Sequence, residues 1–155
     1  MDIPKRDVER WIHDEFPYLR DRSYTVKSLE TDDYNCIAWA VGDTENWWWP
    51  DDDSYWPESA PREQTKEAFF QAFRTRRYEL CDFNGDVEPE YDKIVLFVDD
   101  DDNPWHAAKQ LPSGIWTSKL GRAWDIEHDL IQGVECNDYG RARYMMSRQT
   151  LSDKP

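Results

Sequence analysis

The chain has 155 residues and a mass of 18.6 kDa, and its 33 acidic against 19 basic residues leave a formal net charge of −14. Such a polyanion repels nucleic-acid phosphates and anionic lipid surfaces, so neither is an expected partner, whereas a basic protein is. Mean hydropathy is only −0.97, but nine Trp, eight Tyr and six Phe exclude a disordered chain and point to one aromatic-rich domain over residues 1–155.

The first residues, Met1-Asp2-Ile3-Pro4-Lys5, contain no apolar leader, and no run reaches membrane-spanning length, so a cytoplasmic location is expected, with signal-less export compatible. Pro4, Val8, Trp11, Ile12 and Phe16 fall at helical spacing, predicting an amphipathic N-terminal helix within residues 1–22 that stops before Pro17. Residues 24–29, ending at Leu29, read as a short strand or an extended approach. Residues 35–41 predict a short buried helix that Gly42 terminates. A Trp-rich acidic loop over residues 43–61 holds Trp47-Trp48-Trp49-Pro50 and Asp51-Asp52-Asp53.

Residues 65–76 predict a helix capped by Thr65, with Ala68, Phe69, Ala72 and Phe73 on one face. A strand is expected at residues 78–83. The continuous apolar run at 93–98 predicts a strand buried on both faces. The acidic turn Asp99-Asp100-Asp101-Asp102-Asn103-Pro104 leads into a strand over residues 105–111. Pro112-Ser113-Gly114 then turns the chain into another at 115–119. Asp125 to Ile131 reads as a helical turn and residues 139–148 as a last strand. Helices followed by a meander predict an α+β fold, a Cys-bearing helix packed on a small antiparallel sheet.

Cys36 follows the polar turn Asp33-Tyr34-Asn35 and opens the short helix. Unpaired amide hydrogens and the positive end of a helix favour a thiolate there, and the thiolate is the nucleophilic form. Cys81 and Cys136 have no comparable setting and read as structural. The three cysteines show no CxxC spacing, so no metal and no cofactor is expected.

Among three histidines, His106 opens a strand beyond an acidic turn and is the candidate general base for Cys36. His13 lies on the polar side of the first helix and reads as a surface residue. A third group must orient the imidazole; Ser118 lies across the hairpin, and Asp125 and His128 lie just beyond. The Asp99–Asp102 run lacks the glycine and terminal Glu of a calcium loop and reads as a solvated turn. Asn35 and Trp47, Trp48 and Trp49 are candidate substrate-side residues, the tryptophans either as a stacking platform or as the wall of the cleft.

The stretches Asn35-Cys36-Ile37-Ala38-Trp39-Ala40 and His106-Ala107-Ala108 resemble the papain-like superfamily of cysteine hydrolases, in particular its NlpC-type and CHAP branches. The words Asn-Cys-x-Ala-Trp-Ala-x-Gly-Asp and His-Ala-Ala-Lys-Gln-Leu-Pro-Ser-Gly-x-Trp-Thr-Ser-Lys-Leu-Gly also look like those of a family of small bacterial proteins with no assigned activity. The papain-like resemblance implies a papain-like core, with Cys36 as nucleophile, His106 as base and a polar residue near Ser118 on the next strand. Ser118 stands where those families carry His, Asn, Asp or Gln. The expected function is a thiol hydrolase or acyl transferase acting on a peptide, amide or acyl substrate. The charge supports two alternatives, an immunity-type inhibitor or a decoy for a basic partner. A degenerate papain-like binding domain is a further one, and the Trp-rich loop adds carbohydrate binding.

Overall fold

A computed structural model describes residues 5–20, 22–28 and 30–150, without the side chains of Lys5 and Arg6. Pro4 and Leu29, which entered the expectations above, lie outside the described residues. The first helix, α1, is Lys5–Glu15, followed by a 3₁₀ turn at Pro17–Leu19 where the proline ends the α-helical pattern. A three-residue strand β1, Tyr24–Val26, precedes α2 at Cys36–Ala40 and α3 at Lys66–Arg74. Thr65 caps α3 as expected, its side chain accepting from the Ala68 amide.

The remaining elements are strands: β2 Glu79–Cys81, β3 Tyr91–Val98, β4 Pro104–Gln110, β5 Trp116–Lys119, β6 Asp125–His128 and β7 Arg141–Gln149. A second 3₁₀ turn lies at Ile131–Val134. All seven strands join one antiparallel sheet in the order β1-β6-β5-β4-β3-β7-β2.

This overturns the expected papain-like α+β core. The chain forms a small β-rich domain in which the helix carrying Cys36 is only five residues long, too short to act as the central pillar of a two-layer fold. The predicted meander of β3, β4 and β5 is present, but it is the middle of a wider sheet. Residues 125–128, read as a helical turn, are a strand because they are paired on both sides, with Tyr24–Val26 and with Trp116–Lys119. The last strand, β7, does not end the sheet; it inserts beside β3.

Both faces of the sheet are covered. Ile94, Leu96 and Val98 of β3 pack with α2, α3 and the Trp-rich loop, whereas Val95 and Phe97 pack with α1 and the two 3₁₀ turns. That two-sided burial is why residues 93–98 read as a continuous apolar run, and each such side chain contributes on the order of 2 kcal/mol. The alternation also sorts the site residues: Ala107 faces α2, while His106 and Ala108 face the other layer.

Candidate thiol and histidine site

The site begins with a break in the sheet. β4 and β5 pair only at Lys109–Thr117 and Gln110–Trp116, and the Leu111 amide closes the hairpin on Ile115 O at 2.7 Å. That bond fixes which edge of β4 faces β5: the backbone groups of residues 105, 107, 109 and 111 point that way. Beyond Lys109 the strands part, leaving the Trp105 carbonyl and the Ala107 amide without strand partners on that side.

Cys36 fills this opening. Its Sγ lies 3.8 Å from Trp105 O, and the Ala107 amide donates toward the sulfur. Asn35 sets the thiol in place. Its Oδ1 accepts from the Ala38 amide at 3.1 Å and from the Trp48 amide at 3.0 Å, and its Nδ2 donates to Trp48 O at 2.7 Å. Asn35 is therefore a helix cap and loop anchor, with Oδ1 and Nδ2 both hydrogen-bonded inside the protein.

The amides of Cys36 and Ile37 also donate toward Sγ, as a helix start should provide. Burial outweighs them. With 5% of the residue exposed, the thiol is pushed up to about 11, so the resting side chain is a neutral S–H rather than the expected thiolate.

His106 is fully buried on the other face of β4. It stacks on Tyr139 with ring centroids 4.1 Å apart and meets Phe97 edge-on. A polar relay runs from it. His128 Nδ1 donates to Leu130 O at 2.8 Å, which leaves His128 Nε2 to accept from the Ser118 hydroxyl at 2.8 Å. Ser118 Oγ then accepts from His106 Nε2 at 3.1 Å. This sequence of donors assigns His106 a bare lone pair on Nδ1, and that atom is buried with no partner among the described residues. Burial, then the neighbouring His128, hold His106 well below the ordinary histidine range, and burial takes His128 down to about 4. Both rings are neutral.

Ser118 and His128 thus both orient His106, in series. Asp125 does not. It sits opposite Lys119 on the α2 side of the sheet, where its Oδ1 is buried without a hydrogen-bond partner among the described residues. Cys36 and His106 share no hydrogen bond; the thiol touches the peptide units on either side of His106 instead.

The tryptophans divide. Trp48 is fully buried, with its Nε1 on Asp43 Oδ2 at 2.8 Å, and belongs to the core. Trp47 is half-buried beneath the Arg122 guanidinium. Trp49, half-buried, leans on Phe69 and on Trp105, whose indole is 42% exposed. The partly exposed aromatic pair is therefore Trp49 with Trp105, and it is the Trp105 backbone carbonyl that meets Cys36. Asp99 and Asp102 are also committed internally, the first to Trp105 Nε1 and the second to Lys66 and Tyr144. His13, read as a surface group, bonds the Tyr24 hydroxyl at 2.8 Å.

Two residues were missed altogether: Tyr139, which stacks on His106, and Lys119, fully buried on the α2 side. For Lys119 the signal lay in Trp116-Thr117-Ser118-Lys119-Leu120, a strand buried on both faces that leaves its lysine no route to solvent. A cavity of about 850 Å³ between α1, β1 and β6 is lined by His13, Tyr24, Trp124 and His128 among others; it meets the end of the relay, not the thiol.

The class defined by these features is a β-rich domain with a buried thiol in a sheet opening and a three-residue polar relay behind it. The chain belongs to the family described as Domain of unknown function (DUF7689), whose model matches residues 25–147 and so takes in Cys36, His106, Ser118 and His128. No curated protein and no solved structure matches it.

Proposed function

We propose that the protein is a thiol hydrolase or acyl transferase acting on amide or thioester bonds, with Cys36 as nucleophile and His106 as its base. One observation carries this reading: the Leu130–His128–Ser118 relay fixes the His106 tautomer so that Nδ1 keeps its lone pair, and that nitrogen has no hydrogen-bond partner among the described residues. An orphaned buried acceptor costs about 1–3 kcal/mol, which packing alone gives no reason to retain. A general base requires that lone pair.

The resting pair is neutral on both sides, so no thiolate is stored. In this reading the proton leaves Sγ for His106 Nδ1 through the opening between β4 and β5, because the imidazole lies on the opposite face of β4 and shares no hydrogen bond with the thiol. Sulfur then attacks the carbonyl carbon and the S–H gives up Trp105 O. The imidazolium then returns the proton to the departing amine or thiol, leaving a thioester on Cys36. Water, deprotonated by Nδ1, attacks that thioester; the proton returns to Sγ and the acid departs.

Incubation with p-nitrophenyl acetate tests this, with nitrophenol release and intact-protein mass followed together. The expected result is release beyond one equivalent and an acetyl adduct that maps to Cys36 and is lost in His106→Gln. An adduct confined to Cys81, or one on Cys36 that forms equally well in His106→Gln, rejects the reading.

A basic-partner surface is the second reading, supported by the exposed Asp51, Asp52 and Asp53. Its mark is a complex that weakens steeply with salt and is lost when these three are changed to Asn; salt-indifferent binding rejects it.

A further inference from the structure

We propose that Lys119 is a positioning residue for Cys36: a fixed buried cation whose field favours the ionised thiol and whose hydrogen bonds hold the turn that delivers it. This rests on the thiol-nucleophile reading above. Lys119 is fully buried, and its Nζ donates to three carbonyls, Thr31 O at 2.7 Å, Gly121 O at 2.6 Å and Ala123 O at 2.7 Å. An ammonium has three donors and here all three are used, which favours the protonated form against the burial that lowers the Lys119 pKa.

Its acceptors come from two separate segments. Gly121 and Ala123 belong to the turn between β5 and β6, while Thr31 starts the approach that ends in Asn35 and Cys36. Lys119 therefore ties the turn before the nucleophile to the strand that carries Ser118. The Nζ also stands 5.3 Å from the centre of the Tyr34 ring, two residues before the thiol. Asp125 is its strand partner, but no ion pair joins them among the described residues, so the charge of Lys119 is not cancelled by contact.

The groups around the thiol divide simply. His106 from β4, Tyr34 from the approach and Tyr139 ahead of β7 are neutral, the last held well above its usual range by burial. Asp125 from β6 and Asp32 and Glu30 from the approach act on Lys119, and among these groups Lys119 is the cation. Its attraction opposes, without overcoming, the effect of burial on Cys36.

The test is the rate of Cys36 alkylation by iodoacetamide at fixed pH values from 7 to 8.5, below the range in which the lowered Lys119 pKa would discharge the ammonium, taken as a ratio to exposed Cys81 by peptide mass mapping. In Lys119→Met the Cys36 ratio should fall severalfold across this range, because removing the buried cation disfavours the ionised thiol. In Asp125→Asn it should rise severalfold. An unchanged ratio in a folded Lys119→Met protein overturns the proposal. If that variant does not fold, an unchanged or lowered ratio in Asp125→Asn overturns it. Failure of the hydrolase reading shows separately, as absence of the acetyl adduct in the unaltered protein, and leaves this ratio untouched.

Discussion

Ser118 Oγ stands 3.1 Å from His106 Nε2, and this contact bridges the gap that opens where the backbone pairing of β4 and β5 ends. Two strands that have parted are rejoined by side chains, and the serine serves a second histidine at the same time. Ser118→Ala would leave His106 Nε2–H and His128 Nε2 both buried and unpaired. The expected loss is about 2–6 kcal/mol, at about 1–3 kcal/mol for each orphaned group. Thermal unfolding should show a midpoint lower by roughly 5–15 °C. A change under 2 °C would mean that the relay contributes nothing to holding the sheet together.

The same pair of rings sets an acid limit on stability. His128 sits near 4 when folded against an ordinary value of 6.5, and His106 is lowered in the same direction. Between those values the unfolded chain binds protons that the folded chain refuses, so stability is full above pH 6.5 and drains away as pH falls toward 4. His128 alone accounts for about 3 kcal/mol of that loss. Urea titrations at pH 7.5, 6, 5 and 4.5 read it directly. In His128→Gln the slope over this window should shrink; an undiminished slope would assign it to carboxylates instead.

Asn35 holds three backbone groups with one amide side chain. Asn35→Ala removes a helix cap and strips the Trp48 backbone of both its partners there, for an expected cost of about 2–4 kcal/mol. Asn35→Asp keeps the acceptor but loses the donor to Trp48 O and buries a charge, so it should not rescue stability. Denaturation by urea ranks the variants, and a fully stable Asn35→Asp would show that only the cap matters.

Gly140 has φ +77°, and a Cβ added there would lie 2.0 Å from Val98 O. The obstacle is backbone, at the end of the β3–β7 ladder where Arg141 pairs with Val98. Gly140→Ala should therefore cost more than the roughly 1 kcal/mol of an ordinary Gly-to-Ala mismatch. It should also weaken hydrogen-exchange protection of the Arg141 and Ala142 amides ahead of the rest of β7. Uniform protection along β7 would count against it.

What was legible in the chain was local. Thr65 as a cap, Gly42 as a helix stop and residues 93–98 as a buried strand each follow from a few adjacent side chains. The unreadable part depended on pairing between distant segments. Asp125-Ile126-Glu127-His128 has no helix or strand period of its own, and only its neighbours Tyr24–Val26 and Trp116–Lys119 make it a strand. With β6 unseen, Ser118, Asp125 and His128 stood as rival partners for His106. The strand places two of them in one series and turns the third to the opposite face. The thiol shows the same division. Helix-start donors are visible in sequence, but the burial that outweighs them is a property of the closed sheet.

The outermost strands, β1 and β2, are three residues each, while β3 and β7 inside the sheet run to eight and nine. A sheet of this width exposes two rows of unpaired amides, the usual starting point for fibril growth. Here each row is too short to template a second chain, and Glu79 at the head of β2 adds charge to one of them. The short margins that make the sheet hard to recognise from its sequence also leave little backbone on either edge for a second chain to pair with.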